Sequence, residues 1–564
     1  MPRSLEPAGL VPRIPVWVLY AAAAVLAANV CVLIVGAVTV GVTLDEPSHV
    51  HRLQGFLVHG WYVSENHVTN GQVTQDGGYV YAPVVALIGH VLGVLVGTEQ
   101  WQTVSESSDA YVVRHLVVAS LAVLGMAAAG ATARIMLRSW QWGIVGAAAV
   151  SAMPVYIGHG MFNIKDLPVA AGYSVATLGA VALTRPTIVT RQVGLLAAGA
   201  LALGIWITAG VHPAMLVGIG ASIVVALVMS WARTRRDDPD GRRAMKARVL
   251  TALAGCLGGY LALVACYPKL FLRPDLLLVS IFDSGAFPWS GYTLTAGTFL
   301  PAQGGPSYYL PLWFAAQTPV VVGALFLIAF VWFVRATVGV TSGRSVDGNL
   351  LAGVTVVLVQ ALFLPWAAIA GGSTVYQGAR QMLFVLPAIA LLGTVGAWLL
   401  ARQASRAGRA GLVAAVFGVL VVGLASPTLS GAALVPFNYT WFNELTALRP
   451  IDGNWTTDYE WASSRAVIRK VDTLEEGRCV IVQRHSRCDR DQVTPYWNSV
   501  GSEPVGPLLG SDEMWRIAYG NPAVRHDAPS VDNTVGRDCQ PQSGVTRQLY
   551  WHTVTMSSLA RCRR

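Results

Sequence analysis

The chain has 564 residues, of which 54% are apolar and only 12% are charged, and its mean hydropathy is +0.52. This composition excludes a soluble globular protein and a disordered chain, because both carry many more charged residues, and it indicates an integral membrane protein. The net charge of +9 does not indicate nucleic-acid binding, because the basic residues concentrate in loops on one side of the apolar segments.

Apolar segments recur along the chain at lengths close to the roughly 20 residues that a helix needs to cross a bilayer. The eleven segments cover residues 15–41, 111–133, 141–158, 168–184, 193–210, 213–232, 249–267, 311–334, 349–370, 381–400 and 410–430. The first is too long for a signal peptide and lacks a small-residue cleavage site, so we expect a signal anchor. The sequence predicts an all-α polytopic membrane protein with about eleven transmembrane helices.

The distribution of basic residues predicts the orientation. With a cytoplasmic N-terminus, the inner loops carry 18 Lys or Arg residues and the outer side of the membrane region carries 6. Because cytoplasmic loops are enriched in Lys and Arg, this asymmetry favours that orientation. An odd number of spans then places the C-terminus outside. We expect a multi-pass protein of the plasma (inner) membrane with an extracytoplasmic C-terminal domain.

Two domains are expected, a membrane domain over residues 1–430 and the extracytoplasmic domain over 431–564. The second contains four of the seven cysteines, Cys479, Cys488, Cys539 and Cys562, and an oxidising compartment favours disulfides among them. Three pairings are open, and we favour Cys479–Cys488 with Cys539–Cys562 because each closes a short loop. Zinc is disfavoured, since no CxxC spacing occurs. Runs of β-prone residues at 479–483 and 548–554 predict a small α/β or β-rich domain.

Two outer loops are long, 41–110 and 268–310, and both are rich in aromatic residues. Long loops in a compact protein are usually functional or disordered, and this composition argues against disorder. The apolar run 81–96 in the first loop is short and broken by glycine, so we interpret it as a helix lying at the outer membrane surface.

Five charged side chains are predicted on the outer side. Asp45 and Glu46 follow the first span, Lys165 and Asp166 lie between the third and fourth, and Arg380 precedes the tenth. Taken singly, the acids could end a helix, the Lys-Asp pair could form a salt bridge, and the arginine could reach for lipid headgroups. Together they suit a sugar–phosphate bond, since cations hold a phosphate while a carboxylate deprotonates an attacking hydroxyl.

The same residues belong to motifs that resemble the GT-C glycosyltransferases, specifically the protein mannosyltransferase and aminoarabinose transferase family (glycosyltransferase family 39). The motifs are Asp-Glu at 45–46, Tyr-Ala-Pro at 81–83, Asn-Ile-Lys-Asp-Leu-Pro at 163–168, the aromatic segments 287–289 and 308–313, Tyr-Gln-Gly-Ala-Arg-Gln at 376–381, and the segments 442–444 and 457–459. Three residues depart from the family pattern: Ala82 and Ile164 replace prolines, and Gln381 replaces a histidine. The last change removes a titratable group, so no proton transfer is expected there.

The resemblance implies an inverting transfer of a hexose or pentose from a polyprenyl-phosphate donor to an acceptor on the outer face, either a protein or an envelope glycan or lipid. By the same resemblance Asp45 is the general base and Glu46 positions that base or the acceptor. Asp166 lies opposite in the cavity, and Lys165 and Arg380 neutralise the lipid phosphate. The implied substrate-binding residues are Asn163, Trp289, Tyr308 and Tyr376. Packing at the membrane surface is the alternative for the aromatic residues of the second long loop.

Other classes of function stay open at this point. A polytopic transporter or lipid flippase is the main alternative, although the sequence has no internal repeat of broken helices. A non-catalytic envelope scaffold is a second. A divalent metal could bind histidines of the first long loop together with His159. Their spacing fits no strong ligand pattern, so no cofactor or metal ligand is assigned. These histidines are His49, His51, His59, His67 and His159.

Overall fold

The structure is a computed structural model, and helices dominate it. It describes residues 12–43, 45–59, 67–69, 72–74, 83–233, 239–285, 291–343, 346–459, 461–474, 503–507, 513–519 and 539–563. The first nine helices are α1 (Val16–Thr39), α2 (Asp45–His59), α3 (Val84–Leu95), α4 (Ser108–Leu137), α5 (Trp140–Ser151), α6 (Pro154–Gly160), α7 (Asp166–Leu183), α8 (Arg191–Ala209) and α9 (Leu216–Arg233). The others are α10 (Pro239–Cys266), α11 (Lys269–Leu272), α12 (Leu276–Gly285), α13 (Tyr309–Gln317), α14 (Val320–Thr341), α15 (Gly348–Ala370), α16 (Val385–Arg406), α17 (Ala410–Ala432) and α18 (Ser464–Leu474).

Ten helical segments in the described residues are long and apolar enough to cross a membrane, and α5 with α6 makes an eleventh if that bent pair counts as one span. The prediction of an all-α fold with about eleven transmembrane helices is confirmed. The predicted span 311–334 is wrong in its start, because the chain breaks between α13 and α14. Thr318 is extended and Pro319 precedes the first residue of α14. Proline disfavours a helical conformation in the residue before it, so α13 ends there.

The third span is bent by 72° between α5 and α6. The bend comes at Met153, which is extended, and Pro154, which is the first residue of α6. Proline has no N–H to donate but suits the first turn of a new helix. The chain therefore turns within the protein and continues through α6 to the motif at 163–168.

The described part of the first long loop contains two helices, α2 and α3. α2 begins at Asp45, where an acidic side chain favours a helix N-terminus because of the exposed N–H groups. α3 has 12 residues and is too short to cross a bilayer, as the sequence analysis predicts. A buried network fastens α3 to α4, because Glu99 accepts from Arg114 and shares a hydrogen bond with His90. The motif residues 81 and 82 lie outside the described residues.

Strands form two short hairpins and one larger sheet in the described residues. The hairpins pair β1 (His67–Thr69) with β2 (Gln72–Thr74) and β3 (Tyr292–Thr295) with β4 (Thr298–Pro301). The antiparallel sheet of the tail has the order β5-β6-β8-β7, from β5 (Glu503–Pro507), β6 (Glu513–Tyr519), β7 (Cys539–Leu549) and β8 (His552–Arg563). The expectation of β-structure in the tail is confirmed for these residues.

The predicted strand 548–554 is wrong in its continuity. β7 ends at Leu549, β8 begins at His552, and Tyr550 in the turn has a φ of 54°. The turn residues Tyr550 and Trp551 lack the glycine or asparagine that usually marks such a turn, so no local signal predicts it. Cys539 lies opposite Cys562 in the β7–β8 register. Cys479, Cys488 and the strand predicted at 479–483 lie outside the described residues.

The segment after α17 returns to the ends of the membrane helices where α13 meets α14. The Nδ2 of Asn443 donates to the carbonyls of Ala315, at 2.6 Å, and Thr318, at 2.8 Å. The Oγ1 of Thr457 donates to the carbonyl of Thr555 in β8 over 2.6 Å. Residues 437–459 therefore lie between the membrane helices and the sheet. The predicted domain boundary at 430/431 stays a prediction.

Candidate active site

Four charged side chains and one phenol converge where several helices end. Lys165 Nζ and Arg380 Nη1 each lie 3.4 Å from Asp45 Oδ2. Arg380 Nη1 also donates to Asp166 Oδ2 over 3.0 Å. The hydroxyl of Tyr459 donates to Asp45 Oδ2 over 3.0 Å. We call these five residues the Asp45 cluster.

Arg380 is at the centre of the cluster. Its side chain is 1% exposed, and the guanidinium lies 5.1 Å from the ring centre of Tyr376 and 4.8 Å from that of Tyr459. Its Nη1 also donates to the Tyr459 hydroxyl over 2.7 Å. A planar, permanently charged group held between aromatic faces has a fixed direction, which suits it to hold an anion in one geometry.

A tight turn aims Arg380 at the carboxylates. Gln377 and Gly378 have φ values of 55° and 79°, and the N–H of Gly378 donates to the hydroxyl of Tyr309 over 3.0 Å. A left-handed conformation is costly for residues with a side chain, so two consecutive ones mark a constrained turn. The hydroxyl of Tyr309 in α13 thereby fixes the loop that carries Arg380.

Asn163 organises the other side of the cluster. Its Nδ2 donates to His159 Nδ1 and to Asp166 Oδ2, each over 3.0 Å. Its Oδ1 accepts from the backbone N–H groups of Lys165, at 3.1 Å, and Asp166, at 2.8 Å. The amide is thus fully engaged within the chain, and a substrate contact by Asn163 would have to replace one of these bonds.

Glu46 lies in a separate buried network. Its Oε2 accepts from the N–H and the hydroxyl of Thr43 over 2.7 and 2.9 Å, and its Oε1 lies 2.6 Å from His115 Nε2. The other ring nitrogen of His115 donates to the carbonyl of Ala37 over 3.0 Å. Glu46 therefore ties the start of α2 to α1 and α4, which is the geometry of a residue that positions its neighbour Asp45.

The charges around Asp45 determine its protonation. Burial alone would raise the pKa of the Asp45 carboxyl, but the charges of Lys165 and Arg380 outweigh burial and hold that pKa well below its usual range. Burial lowers the pKa of His49 to about 3, with the charges of Arg52 and Lys165 acting in the same direction. Asp45 is therefore ionised and His49 is neutral at pH 7. Burial alone would lower the pKa of Arg380, but Tyr459 and the carboxylates of Asp166 and Asp45 raise it.

Another buried carboxyl, that of Asp458, lies next to the cluster. Asp458 is 2% exposed and accepts from the hydroxyls of Tyr439 over 2.8 Å and Ser463 over 3.1 Å. Burial raises the pKa of Asp458 to about 7, although these hydrogen bonds act in the opposite direction. Asp458 is adjacent to Tyr459 in sequence, so its bonds help to hold the Tyr459 backbone in place.

A cavity opens beside Arg380. Its lining includes His159, Trp313, Gln317, Arg380, Tyr439 and Tyr459. Of the predicted substrate-binding aromatics, Tyr376 packs against Arg380, as described above. Tyr308 is 55% exposed and does not line the cavity, whereas its neighbour Tyr309 is buried and bonds the Arg380 turn. Trp289 lies outside the described residues.

Comparisons with known proteins bear on the fold. No protein-family model matches the chain, and no curated protein matches it. The solved structures that resemble it include two of ArnT from Cupriavidus metallidurans, one in the apo state and one bound to undecaprenyl phosphate. Each has 15% sequence identity and a TM-score of 0.44, and the match covers 75% of this chain and 77% of that one. At this identity and TM-score the likeness concerns the fold alone.

Tyr459 is the cluster residue that the sequence analysis does not single out. It belongs to the motif at 457–459, from which no catalytic or binding role is predicted for the tyrosine. Its partner Asp45 is 414 positions away, so no local pattern connects them. His159 and Trp313 likewise line the cavity although neither was assigned a substrate-binding role.

The histidines of the first loop do not form a metal centre in the described residues. Within those residues, no group of three or more His, Cys, Asp or Glu side chains could hold a metal ion. His51 Nε2 instead lies 2.6 Å from Glu106. Arg380 Nη1 lies within 3.4 Å of both Asp45 and Asp166. It therefore occupies the position that a metal ion shared by these two carboxylates would need. The side chains of His59 and His67 lie outside the description.

Proposed function

We propose that this chain is a membrane glycosyltransferase that moves a monosaccharide from a polyprenyl-phosphate donor to an acceptor hydroxyl, with Asp45 as the general base. The observation that carries the proposal is the shared contact of Lys165 and Arg380 with one oxygen of Asp45. The buried cations of Lys165 and Arg380 and the partly exposed, ionised carboxylate of Asp45 supply both groups that the reaction needs, an anion site and a base. The ordered resemblance to glycosyltransferase family 39 supports the same reaction.

Donor binding would change the state of the base. The phosphate of the donor carries a negative charge and competes with Asp45 for Lys165 and Arg380. Once the phosphate takes these contacts, Asp45 loses the charges that depress its pKa, and burial then makes it a stronger base. The base is activated only when the donor is in place, which disfavours loss of the sugar to water before the acceptor arrives.

The chemical step follows from these positions. Asp45 takes the proton of the acceptor hydroxyl while the oxygen of that hydroxyl forms a bond to the anomeric carbon. The bond from the anomeric carbon to the phosphate oxygen breaks at the same time. The products are an inverted glycoside, a protonated Asp45 and polyprenyl phosphate, whose added negative charge Lys165 and Arg380 stabilise. Asp166 holds Arg380 in its direction through the 3.0 Å bond, and Glu46 holds the start of α2.

The depth of the cluster suits a lipid-linked substrate. Asp45 follows α1 and Asp166 begins α7, so both lie at ends of membrane-spanning helices, where a lipid headgroup meets water. The basic-residue asymmetry supports an outer location for this end, with the sheet of the tail in the extracytoplasmic space. We include a disulfide between Cys539 and Cys562 in this assignment, since an oxidising compartment permits it.

A transporter or flippase would also bind a polyprenyl phosphate but would form no glycosidic bond. The decisive experiment incubates the purified protein in detergent with a panel of radiolabelled polyprenyl-phosphate monosaccharides and envelope extract, and measures the label transferred to acceptor. Wild type should transfer label from at least one donor, and Asp45→Asn should reduce the rate about 10²- to 10⁴-fold. Asp109→Asn, an exposed acid at the start of α4, is the matched control and should retain the rate. Undiminished transfer by Asp45→Asn would overturn the assignment of the base.

A further inference from the structure

A basic cavity lies at the other end of the membrane helices from the Asp45 cluster. It has a volume of about 550 Å³ and is lined by Pro12, Arg13, Arg134, Arg138, Trp140 and Gln141 together with two neighbouring residues. α1 separates the two sites, and its 24 residues correspond to about 36 Å at 1.5 Å per residue. The volume falls within the range typical of small-molecule sites. The Asp45 chemistry uses none of these residues.

We propose that this cavity binds the phosphate of an anionic glycerophospholipid from the leaflet opposite the Asp45 cluster. Arg13, Arg134 and Arg138 are all exposed, and none of them forms an ion pair with an acidic side chain among the residues that the structure describes. Guanidinium groups bind phosphate through paired N–H donors, so three around one cavity select an anion of this kind.

The backbone at Arg138 is a second and independent observation. Arg138 caps the C-terminus of α4 in the left-handed conformation, with φ 56° and ψ 36°. Glycine is the residue usually found at such an end, because a side chain makes the conformation costly. An arginine held there against this preference points to a use for its charge. The next residue, Ser139, caps α5, so the turn directs Arg138 beside a helix N-terminus that also favours anions.

The positive charge of this region extends beyond the cavity wall. Arg185 is 8% exposed, and its Nε and Nη2 have no hydrogen-bond partner in the described part of the chain. Burial lowers the pKa of Arg185 to about 10, and the charge of Arg138 contributes to this shift while Asp347 opposes it. A bound anion would offset this repulsion, which makes occupation of the cavity favourable.

The surroundings identify a lipid as the source of the phosphate. Trp140 is 58% exposed, and Trp17 and Val16 at the start of α1 are 50% and 65% exposed. Tryptophan is enriched where a membrane meets water, and apolar side chains this exposed at the start of a span face acyl chains. A lipid phosphate would therefore sit among the arginines while its tails lie along α1. The Trp142 indole donates to the Pro12 carbonyl over 3.4 Å and secures the segment that carries Arg13.

Native mass spectrometry of the full chain in detergent, titrated with phosphatidylglycerol, tests this proposal without reference to sugar transfer. The variant Arg13→Ala/Arg134→Ala/Arg138→Gly removes three charges, and glycine keeps the left-handed turn of α4. We expect roughly fivefold weaker binding per arginine and about a hundredfold for the triple variant at the tightest site. The control Arg335→Ala/Arg406→Ala/Arg409→Ala removes three exposed charges from the same end of the helices and should bind as wild type does.

Four results would overturn the proposal. The first two are equal binding of phosphatidylglycerol by wild type and the triple variant, and a loss of binding in the control variant as large as in the triple variant. The third is that wild type binds phosphatidylcholine as tightly as phosphatidylglycerol. The fourth is displacement of phosphatidylglycerol by inorganic phosphate alone, which would indicate a site for free phosphate. Should the triple variant prove unfolded by circular dichroism, Arg138→Gly alone decides the matter. This variant removes one positive charge, so its affinity for phosphatidylglycerol should fall roughly fivefold. Because glycine relieves the backbone strain at this position, thermal stability should not fall. An unchanged affinity for phosphatidylglycerol would contradict the proposal.

Discussion

The hydroxyl of Tyr459 donates to Asp45 Oδ2 over 3.0 Å although the two residues are 414 positions apart in the sequence. The same hydroxyl accepts from Arg380 Nη1 over 2.7 Å. One phenol from the C-terminal region thus connects the proposed base, at the start of α2, to the arginine that precedes α16. The cluster is complete only when the segment after the last membrane helix has returned to the helix ends.

Tyr459→Phe should slow sugar transfer without unfolding the protein. The change removes a hydrogen bond to an ionised carboxylate, and such bonds contribute about 1.5–3 kcal/mol, which corresponds to a rate loss of roughly 10- to 100-fold. The turnover number measured with a radiolabelled polyprenyl-phosphate sugar checks this. Tyr20→Phe, which removes a hydroxyl from an exposed side chain of α1, is the control and should match wild type. A Tyr459→Phe rate equal to wild type would remove Tyr459 from the site.

Much of the membrane domain could be predicted from hydropathy and basic-residue counting. Apolar length determines a span, so the eleven segments correspond to helices in the structure. Pro319 is the local sequence signal for the break between α13 and α14. The convergence of Asp45, Asp166 and Arg380 rested on their shared side of the membrane and on motif order, which predict proximity but not contacts. Tyr459 was not predicted because its contact depends on how the segment after α17 folds back.

The tail was the less predictable part, for a physical reason. Strand pairing joins residues that are distant in sequence, and the order β5-β6-β8-β7 cannot be deduced from alternation within a single strand. The turn at Tyr550 and Trp551 has aromatic residues where glycine or asparagine would normally mark it. The sequence therefore indicated β-structure there without giving its boundaries.

Arg380→Lys should impair donor binding even though lysine keeps the positive charge. Arg380 Nη1 contacts Asp166, Tyr459 and Asp45 at the same time, and a lysine ammonium cannot reproduce the planar geometry that allows this. We expect the KM for the donor to rise about tenfold or more, the effect of losing one charge-assisted hydrogen bond. Initial rates at varied donor concentration measure it.

Arg380→Ala should act on stability as well. It leaves the buried Asp166 carboxylate without its arginine, and breaking a buried ion pair costs about 3–5 kcal/mol. Arg273→Lys is the control for both Arg380 variants, because Arg273 pairs with Asp275 on the surface, where its side chain is 60% exposed. An Arg380→Ala protein with the melting temperature of wild type, or an Arg380→Lys protein with an unchanged KM, would contradict the geometry of the cluster.

Asp458→Asn should remove a pH dependence of stability. The pKa of Asp458 is raised to about 7 in the folded protein from an ordinary value of 3.8, so folding favours the protonated carboxyl. This contribution is fully present below pH 4 and is lost as the pH rises through 7, since the unfolded chain then gains more from ionisation. At pH 8 the loss is on the order of 4 kcal/mol.

The asparagine cannot ionise and still offers an oxygen and an NH₂ group to Tyr439 and Ser463. Melting temperatures of wild type and Asp458→Asn in detergent should converge near pH 4, and the variant should melt higher at pH 8. Asp452→Asn is the control. Asp452 is exposed, so the melting temperatures of this variant and wild type should not separate between pH 4 and pH 8. A wild-type melting temperature that stays level relative to Asp458→Asn between pH 4 and pH 8 would contradict the assignment.

Cys539 and Cys562 should be joined by a disulfide. They are directly opposite in the antiparallel pair β7–β8, where Cα atoms lie about 4.5–5.5 Å apart, within the range that a disulfide spans. Alkylation with a maleimide after denaturation, followed by peptide mass spectrometry, should label these two cysteines only when a reductant is added. Cys31, a free cysteine of α1, should be labelled in both samples. Full labelling of Cys539 and Cys562 without reductant would show two free thiols.

The central claim is that Asp45 is the base of a glycosyl transfer. Its most direct test is mass spectrometry of outer-surface glycans in a strain that lacks this chain, complemented with wild type, Asp45→Asn or Asp109→Asn at equal membrane levels. Wild type and Asp109→Asn should restore the mass of one sugar that the deletion removes, and Asp45→Asn should not. Restoration of that sugar by Asp45→Asn would contradict the claim.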